Sequence, residues 1–155
     1  MNFDISPLAT YHDRQGFDCG NDDINRYLRT MANQHNKKNI AKTHVLTNLD
    51  NPNIIMGFYT LSAVELDVAI KGYPAKIPAM MIGRLGVDNH YQGQGLSKLL
   101  LANALSKIKR LSQDAGIAFA VIDAKNDTLA HYYQKFGFRP TELGHRLIID
   151  VNGIG

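Results

Sequence analysis

Apolar residues at Ile24, Tyr27, Leu28 and Met31 recur at helical spacing behind Asn21, an N-cap type of residue. This predicts a first helix running to about His35. Before it, Phe3 to Tyr11 reads as a strand. After it, Thr43 to Leu49 and Ile54 to Val64 are strand-like runs joined by the turn Asp50-Asn51-Pro52-Asn53, the pattern of a hairpin. Gly72, Pro74 and Pro78 mark a loop, and Met80 to Asp88 reads as the next strand. Gly83 and Gly86 lie inside that strand, which suggests a bulge or the close approach of another backbone or a ligand. Leu96, Leu99, Leu100, Ala104, Ile108 and Leu111 then form the apolar stripe of a long helix, closed by Asp114-Ala115-Gly116. Ile117 to Ile122 is continuously apolar, as a buried central strand requires. Asn126 or Asp127 caps a short helix through Lys135, Gly137 stops it, and Leu147 to Val151 is the last strand. Helices crossing between strands predict an α/β or α+β chain built on one mixed sheet.

The 155 residues suit one domain, taken here as 1–155, with no internal repeat or linker. No apolar run approaches the roughly 18 residues of a membrane span, and the start lacks a signal-peptide layout. Cys19 is the only cysteine, so no intrachain disulfide is possible, and a cytoplasmic location without a membrane partner is expected. Cys19-Gly20 fits a structural turn better than a nucleophile. The six histidines, His12, His35, His44, His90, His131 and His145, show no metal-ligand spacing, so no metal is expected. The net charge of +3 leans toward an acidic partner, with Lys37, Lys38 and Lys42 clustered and Lys107, Lys109 and Arg110 placed where a helix C-terminus welcomes positive charge.

The densest chemistry lies at Gln92-Gly93-Gln94-Gly95-Leu96-Ser97-Lys98, between a strand and a helix. A glycine turn that opens a helix points backbone N–H groups and the positive end of the helix dipole at one spot, which is how proteins cradle phosphate. A dinucleotide fingerprint starting at Gly93 would need glycine where Lys98 stands, and no segment supplies the Gly-Lys-[Ser/Thr] of a P-loop. The glycines alone are also compatible with a tight turn that holds no ligand.

Gln92-Gly93-Gln94-Gly95-Leu96-Ser97 resembles the [Gln/Arg]-x-x-Gly-x-[Gly/Ala] signature of the GNAT-superfamily N-acetyltransferases. Ser97 departs from the last position but is small and keeps its N–H. The likeness extends over nearly the whole chain: Phe17-Asp18-Cys19-Gly20, Ile24 to Leu28, Ile55 to Ser62, Gly83 to Asp88, Asp123-Ala124-Lys125 and His131 to Phe138 resemble the GNAT toxins of type II toxin–antitoxin pairs. The resemblance implies six to seven strands, mostly antiparallel, splayed between strands four and five, with acetyl-CoA as cofactor. It implies that Gln92, Gly93, Gln94, Gly95, Leu96, Ser97 and Lys98 hold the pyrophosphate. Backbone groups of Leu85, Gly86 and Val87 would take the pantetheine arm, and Asn126 would support it.

Leu129, Tyr132, Tyr133 and Phe136 share a helix stripe, and spacing does not choose between the tyrosines. The resemblance implies that Tyr133, four residues before the glycine of Gly-Phe, is the general acid and leaves Tyr132 to packing. It further implies acetylation of the α-amine of aminoacyl-tRNA, with Arg84, and more weakly Lys37 and Lys38, meeting the RNA. A ribbon-helix-helix antitoxin and a homodimer follow from it too. Acetylation of a protein N-terminus, a lysine or a small amine is the alternative within the fold, and a non-catalytic interaction module is the alternative outside it.

Overall fold

The computed structural model describes residues 2–155. Seven strands form one sheet in the order β1-β2-β3-β4-β5-β7-β6: β1 Phe3–Pro7, β2 Lys42–Asn48, β3 Gly57–Leu66, β4 Ile77–Val87, β5 Phe119–Asp123, β6 Arg139–Pro140 and β7 Arg146–Asp150. Helices α1 Asp22–Arg26, α2 Ala32–Lys37, α3 Leu96–Leu111 and α4 Asp127–Gln134 complete the α/β architecture. By contact the chain divides into two compact units. One comprises the chain up to Leu61 with Arg84–Ala104, the other Ser62–Gly83 with Leu105–Gly155.

In the first unit β1, β2 and the start of β3 run antiparallel, with Phe3 opposite Asn48 and Lys42 opposite Leu61. The predicted hairpin is thus present. The predicted first helix is capped by Asn21, whose side chain accepts the amides of Asp23 and Ile24 at 3.0 and 3.1 Å. It is interrupted, however, by a π-helical turn, Tyr27–Met31, in which the Ala32 amide donates to the Tyr27 carbonyl. The core here packs Phe17, Tyr27, Leu28, Ala32, Val45, Ile55 and Phe58.

In the second unit β4 and β5 pair in parallel, Ala79–Ile82 against Phe119–Ile122, and β4 itself runs on to Val87. Strand β7 is antiparallel to β5 and to the short β6. An ion pair from Arg146 to both carboxylate oxygens of Asp123, at 2.8 and 2.9 Å, closes one end of the β5–β7 ladder. The core packs Leu66, Val68, Ile77, Ala79, Phe119, Val121 and Ile148, so the continuous apolar run predicted as a buried strand is one.

Three expectations are corrected. Pro78 belongs to β4 rather than to a loop. It sits second in the strand with its side chain outward, where a missing N–H costs little, while its carbonyl accepts from the Ala118 amide at 2.9 Å. On α3 the buried residues are Leu96, Leu100, Leu101, Ala104, Leu105 and Ile108, whereas Leu99 and Leu111 are exposed, so the stripe is rotated from the predicted one. Strand β1 ends at Pro7, short of Tyr11, which is exposed.

Candidate active site

The turn is built by φ angles that only glycine takes without strain. Gly93 and Gly95 stand at φ +82° and +76°, and a Cβ on either would meet nothing within 4 Å. Their need for glycine is therefore conformational on the protein side, and the space in front of them is open, as a ligand cradle requires. The Gly95 carbonyl accepts the first helical hydrogen bond, from Leu99, so the amides of the first turn of α3 point outward along its axis. No acidic residue lies in that first turn to compete with an anion.

The turn is tethered from behind. Gln92 uses its side-chain Nε2 to donate to the carbonyls of Cys19 at 3.3 Å and Val87 at 3.0 Å, and to Oδ1 of Asn89 at 3.1 Å. Its amide nitrogen thus fastens the turn to the loop and strand behind it. Asp88, buried, accepts from the amides of Asp18 and His90 and from His90 Nδ1 at 2.8–3.0 Å. Asp18 in turn accepts from the Gly20 amide and Asn25 Nδ2, each at 2.9 Å. The Gly20 amide, then Asn25, hold the Asp18 carboxyl below its ordinary pKa. Cys19 lies in this loop, where its amide donates to Asn25 Oδ1, in keeping with the structural turn expected for it.

On β4, Gly86 is glycine for want of room. A Cβ there would meet Ile24 Cγ2 at 3.1 Å and Cys19 Sγ at 3.3 Å. Opposite, a Cβ on Gly57 would come within 3.0 Å of the Gly86 carbonyl. The neighbours that crowd Gly86 are side chains, rather than the backbone or ligand expected to approach it. Leu85 and Val87 flank it half-buried, and Arg84 is exposed. The Arg84 amide donates to Thr60 Oγ1 at 3.0 Å, and its guanidinium lies 3.8 Å from the centre of the Tyr27 ring. Lys37 and Lys38 are exposed at the end of α2, while Lys42 is engaged by Asn36 and Asn39.

In the second unit Asn126 caps α4, accepting the Leu129 amide at 2.9 Å, and Gly137 ends the helical segment at φ +102°. Tyr133 is 8% exposed. Burial, and then the neighbouring Tyr132, push its hydroxyl above the ordinary tyrosine pKa of 10.0, so it is a proton donor at physiological pH. Tyr132 is half-buried with its ring 5.2 Å from that of Phe136, edge to face.

Tyr27, Thr60, Asp18 and Asp88 escaped the sequence reading. Each has at least one partner far away in the chain, Arg84 for Tyr27 and Thr60 and the Asp18–Asp88 bond for the two aspartates, and no local spacing signals that. Asp88 had one cue: it follows a strand and precedes the turn, where a carboxylate caps the short 3-10 segment Asn89–Tyr91.

Residues 18–147 match the family described as Acetyltransferase (GNAT) domain. A probable toxin TacT of Sinorhizobium fredii is 28% identical, the match covering 88% of this chain and 83% of that protein. The structure of AtaT complexed with acetyl-methionyl-tRNAfMet superposes with a TM-score of 0.89 at 27% identity, covering 99% of this chain and 97% of the other. A tyrosine-to-phenylalanine mutant of the AtaT toxin, bound to the C-terminus of the antitoxin AtaR and acetyl-CoA, superposes at 0.86 with 27% identity, covering 99% and 96%. With the family match spanning most of its length, the chain belongs to the GNAT acetyltransferases and is an acetyl-CoA-dependent N-acetyltransferase.

Proposed function

We propose that this enzyme, as one acetyltransferase domain over residues 1–155, acetylates the α-amine of aminoacyl-tRNA and thereby acts as a toxin that blocks translation. The observation that carries the substrate is the likeness, over nearly all of both chains, to AtaT complexed with acetyl-methionyl-tRNAfMet.

The residues present fit acetyl-CoA. The open cradle at Gly93 and Gly95 suits its pyrophosphate, held by backbone N–H groups of the segment Gln92 to Lys98, with Lys98, exposed, adding charge. Leu85, Gly86 and Val87 lie on β4 past its ladder with β5, which supports their offering backbone groups to the pantetheine arm as an added strand would. The capping bond engages the Asn126 side-chain oxygen, so its NH₂ would be the part to donate to a pantetheine carbonyl. The acetyl-CoA thioester supplies an activated acetyl group. The substrate α-amine, with a pKa of about 7.7–8.0, has a useful neutral fraction at physiological pH and needs no dedicated base. Its nitrogen bonds to the acetyl carbon, the carbon–sulfur bond breaks, and Tyr133 gives its hydroxyl proton to the departing sulfur. The proton lost by the amine passes to solvent, from which Tyr133 is reprotonated. Arg84, and more weakly Lys37 and Lys38, meet RNA phosphates.

A toxin of this kind implies an antitoxin, which we take to be a ribbon-helix-helix protein whose C-terminal tail covers the acetyl-CoA site, and a homodimeric enzyme in the cytoplasm. No helix among the described residues is long and apolar enough to cross a membrane. Incubation with labelled acetyl-CoA and bulk charged tRNA tests the reading. Label is expected in the RNA fraction, and label in protein or small amines alone overturns it.

A further inference from the structure

Tyr27 has a demand on it that the core does not explain. Its ring is 3% exposed and packs with Phe17, Leu28 and Phe58, yet one face is covered by the guanidinium of Arg84, an exposed residue. The ring cannot swing away. Its hydroxyl is hydrogen-bonded to His35 Nδ1 at 3.1 Å, and the His35 ring stands edge-on to it at 5.4 Å. Tyr27 also opens the π-helical turn, a distortion that proteins concentrate at functional sites. From the other side Arg84 is pinned through its amide to Thr60 Oγ1. The Arg84 backbone is thus anchored, and its guanidinium rests 3.8 Å from the centre of an aromatic face although Arg84 is itself exposed.

We propose that Tyr27 is a positioning residue for substrate binding, a platform that pre-orients the Arg84 guanidinium for an RNA phosphate. The inference rests on the aminoacyl-tRNA reading above and deepens it. Pre-orientation spares the arginine the rotamer entropy it would otherwise lose on meeting the phosphate. The ring's π face is what meets the guanidinium, and core packing holds a phenylalanine ring in place without the His35 bond, so phenylalanine suffices and leucine does not.

Steady-state kinetics of the full chain with charged tRNA and acetyl-CoA decide it. Tyr27→Leu is expected to raise KM for charged tRNA by roughly 3- to 10-fold, the scale of a cation–π contact, with kcat and the KM for acetyl-CoA unchanged. Tyr27→Phe is expected to keep the wild-type KM. In an Arg84→Ala background Tyr27→Leu should add nothing. An unchanged KM in folded Tyr27→Leu, an equal loss in Tyr27→Phe, or full additivity with Arg84→Ala overturns the inference while the substrate reading stands. Wild-type enzyme that leaves charged tRNA unlabelled overturns both. Should Tyr27→Leu not fold, the NMR shifts of the Arg84 side-chain protons in the wild-type protein decide instead. Upfield ring-current shifts support the platform, and ordinary arginine shifts overturn it.

Discussion

Tyr133 and Gly95 are the single positions on which the proposed chemistry depends most directly. Burial raises the Tyr133 hydroxyl above its ordinary pKa, so the group is protonated at neutral pH, as the proposed delivery of a proton to the departing sulfur requires. Phenylalanine fills the same space. Tyr133→Phe is therefore expected to melt near the wild-type temperature and to bind acetyl-CoA normally, but to lose turnover by about 10²-fold or more. Thermal melts, calorimetric titration and single-turnover rates check the three parts separately, and near wild-type turnover would remove Tyr133 from the general-acid role. Gly95 holds φ +76° with open space before it. Gly95→Ala carries a backbone cost of about 1–2 kcal/mol and places a methyl group where phosphate is expected. The loss in acetyl-CoA affinity should exceed the loss in stability, which calorimetry beside a denaturation curve resolves. Equal losses would mean that the turn is structural only.

At the level of elements, the sequence was most legible where a residue type has one strong local meaning. Asn21 and Asn126 cap the helices predicted for them, Gly137 ends a helical segment, and the glycine turn opens α3. It was least legible where the decision is made by a distant partner. The π turn has no residue signature, because an i+5 bond asks nothing of side chains. Leu99 and Leu101 are equally apolar, and only the packing surface decides that Leu101 is buried and Leu99 is not. Gly86 announced a constraint but not its cause, the crowding by Cys19 and Ile24. The glycine turn of the candidate site was legible from its own residues and the candidate acid Tyr133 through family likeness alone, whereas the contact of the Arg84 guanidinium with the Tyr27 ring was not, since the two lie far apart in sequence. Helix α4 offers a test that separates local from ligand roles. Asn126→Ala removes the cap and should cost about 1 kcal/mol. Asn126→Asp keeps a capping oxygen but replaces the NH₂, so it should melt like wild type while binding acetyl-CoA more weakly. Unchanged affinity in the aspartate variant would confine Asn126 to the cap.

For the whole molecule, the groups with shifted pKa define a pH window of stability. His12 is buried and accepts the Ala9 amide on Nδ1 at 2.9 Å, so its neutral ring carries the proton on Nε2. Burial holds its pKa below 6.5 in the folded state. As pH falls through 6.5, the unfolded chain takes up the proton first, and stability declines until the folded pKa is reached. Asp18 adds a second loss. Its folded pKa is depressed below 3.8, so its contribution is complete above that value and disappears as pH falls through the folded one. At the alkaline side burial raises both Tyr27 and Tyr133 above 10.0, so the unfolded chain releases those protons first and stability falls beyond that pH. The expected curve is a plateau from about pH 7 to pH 10 with a two-stage acid limb. Denaturant midpoints across pH measure it, and His12→Asn isolates the first stage. The asparagine Oδ1 replaces Nδ1 as acceptor for Ala9 but does not titrate, so this variant should keep its midpoint between about pH 7 and pH 5 while the wild type loses stability. An equal decline in both proteins would assign the first acid limb to groups other than His12.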